Sequence, residues 1–153
     1  EKVGVLARPY YHFIRQRSES ETARWRPDMY EKREEEHGWM LDLYRHWGLD
    51  GDPQSVEMIQ RRYAERLIGC IENVCNPQCA LSEREKLAAI ERMITSDRAQ
   101  LAVSVACPRS LMMQVMLAPI KSRNVSLAYR EGCFISFVKR HNARVFATLK
   151  ARR

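Results

Sequence analysis

Arg15 and Arg17, followed at once by Ser18 and Ser20, gather two guanidinium forks and two hydroxyls in one short segment. Guanidinium groups match phosphate oxygens two at a time and hydroxyls add further donors, so this segment suits phosphate. The apolar, aromatic-rich run Val3–Ile14 precedes it, with Val5, Leu6, Tyr10, Tyr11 and Phe13, and reads as a short strand. Without a ligand, the same residues make a solvated turn ahead of a helix. His12 has the chemistry of a metal or diphosphate ligand. Its alternation with Tyr11 and Phe13 instead reads as a strand histidine facing one side of a sheet.

Other chemistry-bearing residues have simpler explanations. Asp50-Gly51-Asp52 is an Asp-x-Asp sequence, but Trp47, Gly48 and Leu49 precede it and a helix follows, so a helix cap accounts for it. Cys70, Cys75 and Cys79 are spaced x4 and x3. Zinc sites need four ligands, normally in tight knuckles, so core packing of reduced thiols is the better reading for the five cysteines. His37 and His46 do not share a helical face and read as surface or interface positions. Glu34, Glu35 and Glu36 offer carboxylates for general-base work, yet a charge run on a helix reads as a solvated face.

Tyr10, Tyr11, Arg15, Arg17, Ser18, Ser20 and Thr22 together resemble a late segment of the family 2 glycosyltransferases. In many bacterial members of that family an aromatic pair, one or two arginines and Ser-x-Ser/Thr follow the catalytic core. The looser similarity continues through a charged helix over Tyr30–Trp47, several amphipathic helices and a basic tail. The resemblance implies the C-terminal part of an inverting, GT-A type enzyme of bacterial polysaccharide biosynthesis. Such an enzyme moves a sugar from a nucleoside diphosphate to a glycan or lipid-linked acceptor. It further implies that Arg15, Arg17, Ser18 and Ser20 bind substrate, in a loop closing over the diphosphate or acceptor. The carboxylate base and a Mg²⁺ or Mn²⁺ ion would belong to an upstream catalytic domain. These residues alone would then hold no cofactor and be inactive.

The composition fits that expectation without selecting it. A chain of 153 residues with 45% apolar content can bury one core, and no apolar run approaches the ~20 residues of a spanning helix. The net charge of +7 favours anionic partners, and from Lys121 to Arg153 the sole acid is Glu131. Phe134, Phe137, Lys139, Arg140, Arg144 and Phe146 therefore define a second candidate, an aromatic and basic surface for a membrane or partner. A core helix with a basic tail is the competing reading. The expected location is cytoplasmic, peripheral at the inner face of the plasma membrane, with homo-oligomer formation as a further expectation.

The elements that would position these residues are mainly helical. The expected fold is mainly α, a multi-helix bundle preceded by one or two short N-terminal β-strands. Residues 1–26 form the strand and junction loop, and residues 27–153 the helical domain. A helix starts at Pro27-Asp28, its apolar face built from Met29, Tyr30, His37, Met40, Leu41, Tyr44 and Trp47, and Gly48 ends it. Asp52 and Pro53 open a helix reaching about Val74. Ser82 and Glu85 make a capping box for the next. A short helix runs from Asp97 to Val105, another starts at Pro108, and Asn124 caps the last, with Leu127, Ala128, Phe134, Ile135, Phe137 and Val138 apolar. The alternative function is a basic helical module that binds nucleic acid or protein, although no helix-turn-helix or zinc-finger pattern stands out.

Overall fold

The computed structural model describes residues 24–108 and 110–141. Six helices account for most of them: α1 (Met29–His46), α2 (Pro53–Val74), α3 (Glu83–Thr95), α4 (Asp97–Val105), α5 (Leu111–Lys121) and α6 (Val125–His141). The mainly helical expectation holds. The N-terminal strands expected within Val3–Ile14 lie outside the described residues, as do Arg15, Arg17, Ser18 and Ser20.

Local chemistry sets most of the boundaries. The Asp52 carboxylate accepts from the Ser55 amide at 2.8 Å, with Pro53 at the first helical position, so α2 starts where its backbone donors are met. Ser82 and Glu85 close the capping box of α3 reciprocally. Gly48 takes φ +67 after α1, and Leu49 N–H reaches back to the Tyr44 carbonyl at 2.9 Å, the Schellman arrangement. Asn124 caps α6 through the Leu127 amide at 3.0 Å. The start of α5 differs from the expectation: Ser110, not Pro108, supplies the N-cap, accepting from Met113 N–H at 3.2 Å. A side-chain acceptor outweighs a favourable proline φ, and the helix begins at Leu111.

The core gathers around α2, which packs against each of the other five helices. Tyr63, Ala64, Leu67, Cys70, Ile71 and Val74 form its buried stripe, against Ile90, Met93 and Ile94 of α3 and Ala99, Ala102 and Val103 of α4. Burying such side chains contributes about 1.5–3 kcal/mol each for the larger ones. Gln100 then fastens the far end: its Nε2 donates to the Ile94 carbonyl at 2.6 Å and to the Ile120 carbonyl at 2.9 Å, joining the ends of α3 and α5. The orphan carbonyls of two helix C-termini are satisfied by one amide.

Helix α6 meets α2 along small residues. Its buried positions are Ala128, Gly132 and Ser136. A Cβ on Gly132 would lie 2.7 Å from Cys75 Sγ and 3.0 Å from an Ile71 methyl. The close approach of these helices thus requires glycine.

Candidate functional site

Phe134 and Phe137 sit on the last two turns of α6, 66% and 53% exposed. With Arg130 and His141 they recur at four- and three-residue intervals, so they form one stripe. The buried stripe Ala128–Gly132–Ser136 is on the other side of the same helix. The competing reading of this segment as a core helix does not hold at Leu127, Phe134 and Phe137, because all three are exposed. Small residues allow the helix to approach α2, and the aromatic rings are left outside. Phe137 stacks on His141 with ring centroids 4.2 Å apart, and His141 Nδ1 lies 3.0 Å from the Phe137 carbonyl.

The basic residues of this candidate divide. Lys139 forms an ion pair with Glu72 of α2, so it ties α6 down instead of standing out as a free cation. Arg140 is exposed and its Nε donates to the Ser136 carbonyl at 3.4 Å. Arg144 and Phe146 lie outside the described residues. The resulting face is aromatic with cationic edges, suited to an amphipathic boundary.

A second exposed stripe was not anticipated. Trp39, Leu43 and Trp47 recur every four residues on α1, and Trp39 and Trp47 are 64% and 60% exposed. Trp47, placed by periodicity on the buried face, is the helix C-cap and lies open. The four-residue spacing of the two tryptophans with Leu43 was a visible signal for this stripe.

The polar residues of α1 do more than solvate a face. Arg98 of α4 donates through Nη1 to the Glu34 carboxylate at 3.0 Å and to the Glu34 carbonyl at 2.8 Å, and the Tyr63 hydroxyl donates to the same carboxylate. Glu36 accepts from Arg33 at 2.6 Å and contacts Arg66 of α2. The reading of Glu34–Glu36 as a solvated run is corrected: Glu35 is exposed, while Glu34 and Glu36 are partly buried and paired. A one-element charge run gives no sign of cationic partners on other helices. His46 is exposed, whereas His37 is buried at the α1–α2 interface, with its Nε2 and Gln60 Oε1 unpartnered.

The electrostatics make this cluster a clasp. Burial first, then the Glu34 carboxylate, pushes the Tyr63 hydroxyl well above its ordinary range, so it serves as a hydrogen-bond donor and not as a nucleophile. Burial and the nearby Arg98 charge lower His37 to about 4, keeping it neutral near pH 7. Tyr30 is raised by burial, with the Arg92 guanidinium 5.2 Å above its ring. Every charged member already has a partner within the fold, and the groups lie between packed helices.

Cys70, Cys75 and Cys79 are buried, and burial pushes Cys70 up to about 12. Among the described residues no cluster of three or more His, Cys, Asp or Glu side chains is arranged to hold a metal ion. Asp52 spends its carboxylate on the α2 cap. No helix among the described residues is long and apolar enough to cross a membrane. No protein-family model, curated protein or solved structure matches the chain.

Proposed function

We propose that this helical body is a docking module that holds the protein against an anionic membrane surface through the outer face of α6. The observation that carries the reading is the outward stripe of Phe134 and Phe137, on the helix face opposite the buried one and beside Arg130 and Arg140. Aromatic rings enter the headgroup boundary, and each nearby cation adds about 1 kcal/mol of attraction to an anionic leaflet. The net charge of +7 acts in the same direction at longer range.

The docked protein is, in this proposal, a bacterial family 2 glycosyltransferase that adds sugars from a nucleoside-diphosphate donor to a glycan or lipid-linked acceptor. That part rests on the resemblance of Tyr10–Thr22. A membrane dock would bring such an enzyme to a lipid-linked acceptor. The metal, Mg²⁺ or Mn²⁺, and the catalytic base belong to its GT-A domain, and the location is cytoplasmic, at the inner face of the plasma membrane. In the complete enzyme, Arg15→Ala and Arg17→Ala lower kcat/KM; unchanged values in both would remove the loop from transition-state stabilisation.

Docking is tested by sedimentation with vesicles of phosphatidylglycerol and phosphatidylcholine against vesicles of phosphatidylcholine alone. The anionic vesicles should retain the protein, and Phe134→Ser with Phe137→Ser should weaken retention about tenfold or more. Equal retention of the double variant removes α6 from the contact. Tight binding to duplex DNA with a steep salt dependence, without vesicle binding, would favour the nucleic-acid module instead.

A further inference from the structure

We propose that Cys133 and Cys75 are an oxidative modification site, closing as an intramolecular disulfide that staples α6 to the end of α2. The pair lies at the close crossing of α2 and α6. Cys75 is the C-cap of α2, and its thiol donates to the Tyr129 carbonyl of α6 at 3.5 Å. Gly132 removes the Cβ that would otherwise occupy the space 2.7 Å from that sulfur. The next residue is Cys133, one helical turn after Tyr129 and packed against the same core cluster as Cys75, so it stands beside the carbonyl that accepts from the Cys75 thiol. Closing the bond brings the two sulfurs to the ~2.05 Å length of a disulfide.

Accessibility assigns the roles. Cys133 is half-buried and meets an oxidant first, while Cys75 is buried beneath it and resolves. With hydrogen peroxide, the Cys133 thiolate attacks one peroxide oxygen, the O–O bond breaks, and hydroxide leaves to become water. The Cys75 sulfur then attacks the Cys133 sulfenic acid, the S–O bond breaks, and a second water departs with the Cys75 proton. Two thiols are oxidised by two electrons and one peroxide is reduced to two waters. Burial raises the Cys75 thiol well above its ordinary range, so the second step is the slower.

The other thiols serve as internal controls. Cys70 is buried in the α1-facing part of the core and its thiol is held protonated. Cys79 is buried near Cys75, and Cys107 is exposed and open to intermolecular coupling. The bond would enclose α3, α4 and α5 within one covalent loop, restricting the unfolded chain and raising Tm by about 5 °C or more.

The test uses the full chain carrying Cys107→Ser, treated with hydrogen peroxide under native conditions and mapped by mass spectrometry without reduction. The expected result is one linked peptide pair containing Cys75 and Cys133, short of two hydrogens, with a raised Tm that reductant reverses. Cys79→Ser keeps the link and Cys133→Ala abolishes it, with near-ultraviolet circular dichroism confirming that both variants fold. A sulfenic or sulfinic acid on Cys133 with no link overturns the proposal. So does a link that includes Cys79, or the Cys107→Ser protein still titrating all four remaining thiols after treatment.

Discussion

The His37 ring packs against that of Tyr63 with centroids 4.3 Å apart and planes tilted by 33°, joining α1 to α2. His37 is only 5% exposed, and the positive Arg98 of α4 lies close enough to oppose a second charge. The Tyr63 hydroxyl donates to Glu34 of α1, and the buried Gln60 of α2 has its Oε1 unpartnered as well. The unfolded chain takes up the proton near 6.5 and the folded one near 4. Acid therefore favours unfolding. Stability is full above about pH 6.5, falls as pH drops from 6.5 towards 4, and levels off below, with a total loss on the order of 3 kcal/mol. Urea midpoints at pH 7.5 and 5 measure this. His37→Phe should remove most of the difference, and an unchanged pH slope in that variant would reject the assignment.

The Glu34 carboxylate is held by two neighbours of unequal importance. Tyr63→Phe deletes a neutral donor and leaves Arg98 in place, so it should destabilise by about 1 kcal/mol. Arg98→Met leaves a partly buried carboxylate with no cation and also frees the Glu34 carbonyl, which should cost about 2 kcal/mol or more. A double-mutant cycle in chemical denaturation should show coupling above about 0.5 kcal/mol. Strict additivity would mean the two donors act independently.

Gly132→Ala should destabilise by about 1–3 kcal/mol. The added methyl meets Cys75 Sγ at 2.7 Å, an Ile71 methyl at 3.0 Å and the Ile71 carbonyl at 3.3 Å, so α6 has to lift from α2. Gly69 is the control, because its nearest obstacle is the flexible Met29 tip at 3.8 Å. Gly69→Ala should be neutral or stabilising, through helix propensity. Thermal melts of the two variants moving in the same direction would contradict the packing argument.

Arg123 stands in the left-handed region at φ +55, ending α5 where glycine is the usual choice. The Asn124 amide reaches the Pro119 carbonyl at 2.8 Å, so the turn is fixed by the bonds around it. Arg123→Gly should relieve the side-chain penalty and stabilise by up to about 1 kcal/mol. Lower stability in the glycine variant would show that the arginine side chain supplies more than its conformation takes away.

The sequence was most legible where a boundary depends on one residue's own chemistry. Asp52-Pro53, the Ser82–Glu85 box, Gly48 and Asn124 each act on amides or dihedrals within a few residues, so spacing alone located them. It was least legible where the answer depends on a distant helix. Glu34 looks like any solvated acid until Arg98 and Tyr63 meet it across long separations. In α6 the inward face is marked by Ala128, Gly132 and Ser136, which carry no hydropathic signal, while Phe134 and Phe137 carry a strong one and point outward. Periodicity finds a helix face but not which face is covered. Arg15, Arg17, Ser18 and Ser20 lie outside the described residues, as do Arg144 and Phe146.

Because α2 is the shared neighbour of all five other helices, the bundle has no division that leaves two self-sufficient halves. Amide hydrogens around Tyr63–Ile71 should then exchange with solvent only when the entire body opens. Helix α1, which leans chiefly on α2 and is tied elsewhere by Arg92 and Arg98 to Glu31 and Glu34, can peel away alone and expose its amides much sooner.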